Sequence, residues 1–252
     1  MNRSVLITGG TRGLGLAMGL AYARNGDDVY LTHKWSSVDD EEIHDVFKAQ
    51  GLPEPCVMQS DCGDATDCAD VVRQIVAERG ELSVLVSNAA FGPVTAAMDD
   101  LKRQSLDTCM QYTAWPVVEL VRQAMDIAGK PPRHVLGISS AGVETCPDGY
   151  DLLGASKAAL EALCRYLAVR LHPLGSTVNV VRFGFLDTES LRVVLGENAV
   201  AQLSDRGLTM DLDAAARVCV GLCSGDFDAM TGQVITADHG LSIQSPLAFL
   251  KQ

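Results

Sequence analysis

ISSAGVETCPDGYDLLGASKAALEALCRYLAVRL, residues 138–171, begins as an apolar strand end, passes through a loop holding Pro147 and Gly149, and enters a long amphipathic helix. Ser139, Ser140, Tyr150 and Lys157 fall where strand end, loop and helix start converge. In a parallel α/β sheet the carboxyl ends of the strands border the ligand crevice. A hydroxyl, a phenol and an ammonium placed there can stabilise charge that develops on a substrate oxygen. Tyr150 would donate its proton, Lys157 would lower the phenol's pKa, and Ser140 would orient the oxygen. Each residue alone reads more readily as a packing or solvated side chain. Their coincidence downstream of a nucleotide-binding pattern points to catalysis.

That pattern lies at the start of the chain. Residues 4–8, SVLIT, read as a short buried parallel strand. Thr8-Gly9-Gly10-Thr11-Arg12-Gly13-Leu14-Gly15 follows and leads into LAMGLAYARNG, whose apolar residues recur with helical period. Strand, glycine-rich turn and helix in this order form a dinucleotide cradle. The glycines let the backbone approach a pyrophosphate, and the helix N-terminus offers its free N–H groups. The second strand, Asp28–His33, runs into Lys34-Trp35-Ser36-Ser37. An NAD site normally places an acid here for the ribose hydroxyls, whereas a 2'-phosphate requires cations and hydroxyls. None of residues 32–37 is acidic, and Arg12, His33, Lys34 and Ser36 are available, which favours NADPH.

Farther along, PCVMQSD makes a third strand ending at Asp61-Cys62. Asp61 reads either as an acceptor for the adenine amino group or as part of the helix cap toward Asp64. LSVLVSN is a fourth strand followed by Asn88, Ala89 and Ala90, small enough to let the backbone lie against a cofactor ribose. Segment 94–127 contains a long helix that ends near Gly129, with Pro131-Pro132 as the break. HVLGIS, VNVVRFG and TGQVITADHG supply strands five to seven. The alternation of strand and helix predicts a three-layer αβα sandwich around a doubly wound, mostly parallel seven-stranded sheet. One domain spans residues 1–252, and the long insertion 185–207 is the candidate substrate lid.

Composition narrows the classes. With 47% hydrophobic and 21% charged residues, the chain has enough apolar content for a sizeable core. A formal charge of −12 argues against nonspecific nucleic-acid binding and against an anionic membrane surface. The start of the chain shows no basic leader and no bilayer-length apolar run, so a cytoplasmic location is expected. The eight cysteines include no C-x-x-C pair, and no metal site is expected.

Taken together, these motifs resemble the short-chain dehydrogenase/reductase superfamily over essentially the whole chain. Thr8-Gly9-xxx-Gly13-x-Gly15 matches its cofactor fingerprint, Asp61 its adenine-contacting acid, and Ser87-Asn88-Ala89-Ala90 its NNAG segment. Ser140 and Lys157 are seventeen apart, as that family spaces its catalytic Ser and Lys. The commonest version, Y-x-x-x-K, would need tyrosine at Leu153. Tyr150-x6-Lys157 instead resembles the enoyl-acyl-carrier-protein reductases, and the type III branch most closely. The resemblance also implies cofactor contacts at Lys157, Gly184 and Thr188, and a homotetramer built on helices 101–127 and 152–171 and the last strand. The alanines 155, 158, 159, 162 and 168 would permit the close helix approach this requires. Three positions depart from the family: TCMQYTAW has no active-site Asn near Tyr112 or Thr113, Phe183-Gly184 replaces Pro-Gly, and His239 replaces a terminal glycine.

The leading expectation is NADPH-dependent reduction of a C=C bond conjugated to a thioester or ketone carbonyl, with charge held at the oxygen by Tyr150 and Lys157. The carbonyl oxygen lies three bonds from the hydride acceptor, so its donor stands farther away than in a ketone reductase, as a displaced tyrosine would. Reduction of a ketone or quinone in a specialised biosynthetic pathway is the alternative, and a cofactor-binding protein without catalysis is a third. The acyl group could be borne by an acidic carrier protein, by coenzyme A or by neither. A carrier protein would need a cationic rim, for which Arg103, Arg192 and Arg206 are candidates.

Overall fold

The computed structural model describes residues 2–35 and 39–244. Ser36 lies outside the described residues, so its expected part in phosphate binding has no structural account. Nine strands and ten α-helices follow one another among the described residues. Strands β1 (Ser4–Thr8), β2 (Asp28–His33), β3 (Cys56–Gln59), β4 (Val84–Ser87), β5 (His134–Ser140), β6 (Thr177–Phe183) and β9 (Val234–Ala237) form one sheet in the order 3-2-1-4-5-6-9. Every pairing in it is parallel.

Alternation along the strands builds two apolar layers. Val5 and Ile7, Val84 and Val86, and Leu136 and Ile138 face one side, where they meet α1 (Gly13–Arg24) and α10 (Leu212–Leu222). Leu6, Leu85, Val135, Val178 and Val180 face the other side and pack with α3 (Ala65–Arg79), α5 (Pro116–Ala128) and α7 (Asp151–Leu171). Because both faces are covered, the central strands read as continuous apolar runs. The remaining helices are α2 (Asp40–Lys48), α4 (Arg103–Cys109), α6 (Gly142–Thr145), α8 (Glu189–Leu195) and α9 (Glu197–Asp205).

Strand order reverses between β1 and β4, which opens a crevice at their carboxyl ends. Two features differ from the sequence expectation. The long helix of segment 94–127 is broken into α4, a π-helical turn at Met110–Ala114, and α5. The 185–207 insertion is closed at its base by a small sheet of β7 (Phe185–Leu186) and β8 (Thr209–Met210). No helix among the described residues is long and apolar enough to cross a membrane, and those residues hold no cluster suited to a metal ion.

Candidate active site

The glycine-rich turn has the shape of a cofactor cradle. Gly13 has φ +53°, a conformation that side-chain-bearing residues rarely adopt. A Cβ at Gly15 would lie 2.1 Å from the Gly9 carbonyl oxygen, so helix and turn touch backbone to backbone. Arg12 at the start of α1 makes no side-chain cap, leaving the first N–H groups of the helix for an anion. Thr8 and Asn88 hold this turn from within. The Thr8 hydroxyl accepts from the N–H groups of Asn88 and Ala89, both at 3.0 Å. The Asn88 amide donates to the carbonyls of Thr8 and Gly9 at 2.9 and 3.0 Å. Both side chains therefore lock β4 to the turn and are committed to the protein. Thr11 and Leu14 are buried beside them, while Ala90 is exposed at the crevice.

Among the expected phosphate ligands, those within the described residues are already engaged. Lys34 Nζ pairs with Asp61 and donates to the Tyr112 hydroxyl. It lies 4.3 Å and 4.4 Å from the ring centroids of Trp35 and Tyr112. Burial alone would lower the lysine's pKa, but Asp61 and Tyr112 outweigh it and hold it above its ordinary value. Asp61 also accepts from Gly63 N–H at 2.9 Å. Capping of α3 falls to Asp64, which accepts from Thr66 and Asp67 N–H. Cys62 packs against the Tyr112 backbone, with its thiol pushed up to about 11 by burial. Arg12 is paired with Glu189 at 2.7 Å, and His33 lies 3.7 Å from Asp40. The cations expected for a 2'-phosphate thus sit beside carboxylates that an entering phosphate must displace.

Of the catalytic residues expected from sequence, Tyr150 and Ser140 meet at Gly142, and Lys157 reaches β5 two residues earlier, at Ile138. Lys157 is buried on α7, and its Nζ donates to the Ile138 carbonyl at 2.6 Å. Burial lowers its pKa to about 8. Tyr150 immediately precedes α7, and its ring and Ser140 Oγ, at the end of β5, both lie against Gly142. Burial raises its phenol, and the neighbouring Ser140 hydroxyl works in the opposite direction. Ser140 Oγ also accepts from Gly142 N–H at 3.1 Å. A Cβ on Gly142 would lie 2.7 Å from the Tyr150 ring, so only glycine lets the phenol rest against α6. Leu153, at the position the commoner pattern gives to tyrosine, instead packs beside Gly92, together with Cys109.

Residue Thr95, which the sequence did not single out, fastens the wall of this site. Its hydroxyl donates to Asp151 at 2.5 Å, and its N–H donates to the Gly149 carbonyl at 3.2 Å. Where the family's Asn was sought, Tyr112 turns toward Lys34, and Thr113 accepts from Phe91 N–H at 3.2 Å. His239 takes φ +55°, the left-handed backbone of the glycine it replaces. Gly184 is confined: a Cβ there would lie 2.9 Å from Asp238 Cβ. Thr188 caps α8 by accepting from Leu191 N–H at 3.2 Å, with its methyl facing Gly13. Of the proposed cationic rim, Arg192 is clasped by Asp187 and Glu197, both at 2.6 Å, and Arg103 lies 3.7 Å from Asp107.

The sequence profile of the enoyl-(acyl carrier protein) reductase family matches residues 9–242. The chain belongs to this family, within the short-chain dehydrogenase/reductase superfamily, and is an oxidoreductase. It is 31% identical to 1-cyclohexenylcarbonyl-CoA reductase of Streptomyces collinus, over 97% of this chain and 88% of that protein. It is 27% identical to a 3-oxoacyl-[acyl-carrier-protein] reductase of Staphylococcus aureus, over 96% and 98% of the two chains. A short-chain dehydrogenase from Burkholderia cenocepacia, solved in complex with NADP, matches with TM-score 0.81 and 26% identity over 94% and 96% of the chains. Actinorhodin polyketide ketoreductase shares the fold with TM-score 0.85 at 21% identity, over 96% and 98%.

Proposed function

We propose that the protein is an NADPH-dependent reductase of α,β-unsaturated acyl thioesters or enones. The observation that carries this is the placement of the phenol. Tyr150, seven residues before the buried Lys157, lies beside Ser140 against Gly142, while Leu153 fills the nearer position with an apolar side chain. The glycine turn, the uncapped helix start and Lys34 suit a dinucleotide bearing a 2'-phosphate. NADPH, when bound, would supply a hydride to the β carbon, and a proton taken up from water at the α carbon would complete the saturated product. Tyr150 then donates a hydrogen bond to the carbonyl oxygen as negative charge gathers there, and Ser140 keeps the phenol turned toward it. The Lys157 ammonium favours that charge through its positive field. Leu153 packs against Gly92 and offers no hydroxyl at the position the commoner pattern gives to tyrosine. The reductase of Streptomyces collinus, whose name states an unsaturated acyl-CoA substrate, supports the same reading.

A ketone-reducing alternative draws on the retained Ser140 beside Tyr150 and on the 3-oxoacyl reductase relative. The paired state of Arg192 supports a coenzyme A ester or free enone over an acidic carrier protein. We place the substrate lid at α8 and α9, anchored to the cradle through Arg12–Glu189. The exposed Tyr166 and Val169 on α7 support assembly through that helix into a homotetramer. One panel of NADPH-oxidation assays, with enoyl thioesters, diketones and quinones, tests the function. A saturated thioester product is expected, and turnover confined to diketones or quinones would overturn the reading.

A further inference from the structure

A second polar network lies directly behind the catalytic residues. Glu161 stands one turn beyond Lys157 on α7 and is 2% exposed. A carboxylate so far from water requires partners. Ser139 Oγ donates to its Oε1 at 2.7 Å, and Arg182 grips it with Nε on Oε1 and Nη2 on Oε2, both at 2.7 Å. Such a two-point fork fixes direction as well as distance. Burial alone would raise the Glu161 carboxyl, but Arg182 and Ser139 outweigh it and keep it below its ordinary range, hence anionic. Ser139 and Arg182 are register partners on β5 and β6, so the carboxylate ties α7 to both strands next to Ser140.

Arg182 has one more nitrogen, and it reaches forward. Its Nη1 pairs with Glu144 on α6. This four-residue helix carries Gly142, whose N–H donates to Ser140 and whose Cα supports the Tyr150 ring. Beyond it the chain turns at Cys146, a non-glycine residue with φ +48°. The Glu144 side chain is 61% exposed, so the pair fills no core. We infer that Glu144 is a positioning residue: through Arg182 and Glu161 it pins α6 as the platform that holds Tyr150 against Ser140. This rests on Tyr150 being the group that meets the substrate oxygen.

Glu144→Gln keeps the shape of the side chain and removes its charge. With an enoyl thioester, kcat is expected to fall about tenfold with NADPH affinity unchanged, because only the orientation of the donor is lost. The second readout does not depend on turnover. The chain has five tyrosines, and ¹³Cζ-tyrosine NMR, assigned through Tyr150→Phe, follows the Tyr150 phenol by itself. In Glu144→Gln its titration is expected to move to higher pH, because Ser140, which opposes the effect of burial on the phenol, is no longer held beside it. Glu144→Asp should recover part of both effects. In an Arg182→Lys background, Glu144→Gln should add nothing further. A folded Glu144→Gln protein with wild-type kcat and an unmoved Tyr150 titration would overturn the inference, as would full additivity with Arg182→Lys. Should the wild type reduce no enoyl thioester, the functional reading fails, while the Tyr150 titration still decides whether α6 is pinned in this way.

Discussion

Lys157, buried on α7, donates to the carbonyl oxygen of Ile138 at 2.6 Å, and no carboxylate among the described residues pairs with it. An ammonium held this way is cationic at neutral pH but gives up its proton near pH 8. Activity that depends on its positive field should therefore decline as pH rises through about 8. A pH profile of kcat with an enoyl thioester checks this, and a flat profile from pH 7 to 9.5 would remove the ammonium from the chemistry.

Stability has the opposite slope. The folded pKa of Lys157 is about 8 and the ordinary value is 10.5. Between these two pH values the unfolded chain binds more protons, so stability rises with pH. Below about pH 8 the charged side chain carries its full burial penalty, about 3 kcal/mol. Lys157→Met removes this penalty. Denaturant melts should show the variant more stable than wild type at pH 7, with the gap closing toward pH 10.5. A gap that does not change with pH would contradict the assignment.

Tyr150→Phe deletes one hydroxyl and keeps the ring against Gly142. Loss of a donor that pairs most strongly with developing charge costs about 3 kcal/mol, or roughly 10²-fold in kcat, with cofactor affinity little changed. Leu153→Tyr in that background should restore little enoyl reduction, since its hydroxyl would start from the Gly92–Cys109 side. Turnover of Tyr150→Phe within about threefold of wild type would withdraw the residue from the site.

Cofactor choice turns on Lys34, which must exchange the Asp61 carboxylate for a phosphate. NADPH should bind more tightly than NADH, and Lys34→Met should weaken NADPH by about tenfold while leaving NADH nearly unchanged. Asp61→Asn frees the lysine and should raise NADPH affinity. Calorimetric titration of both cofactors gives the answer, and equal affinities in the wild type would contradict a 2'-phosphate site at Lys34.

The double clasp of Arg192 by Asp187 and Glu197 bears on how the substrate arrives. A chain of formal charge −12 should repel an acidic carrier protein at low ionic strength. The kcat/KM for an enoyl-carrier-protein substrate should lie below that for the matched coenzyme A ester and improve as salt is added. A carrier substrate favoured at low salt and weakened by salt would reverse this conclusion.

Much of this was legible in the linear chain because its signals are local. The run Thr8–Gly15 combines strand, turn and helix start within one stretch, and Tyr150, Ser140 and Lys157 lie within eighteen residues of one another. The break in segment 94–127 carried no such signal. Met110–Ala114 has ordinary helix composition, and the π-helical turn appears only where Tyr112 and Thr113 reach Lys34 and Phe91 on other elements. Lys34 was expected to await a phosphate, and its pairing with Asp61 could not be anticipated, since the two are 27 positions apart on separate strand ends.

By itself the sequence determined the order of strands and helices, the parallel sheet, the cradle, and the spacing that displaces the phenol from Leu153 to Tyr150. These depend on hydrophobic period, backbone freedom at glycine and residue spacing, all of which act within a few residues. Tertiary structure alone decided which charges are already paired, that Thr95 fastens the Tyr150 loop, and that Glu161, Arg182 and Glu144 form one chain of contacts behind the site. Such contacts depend on side chains from distant segments meeting at one point with fixed direction, and the folded sheet is what supplies that direction.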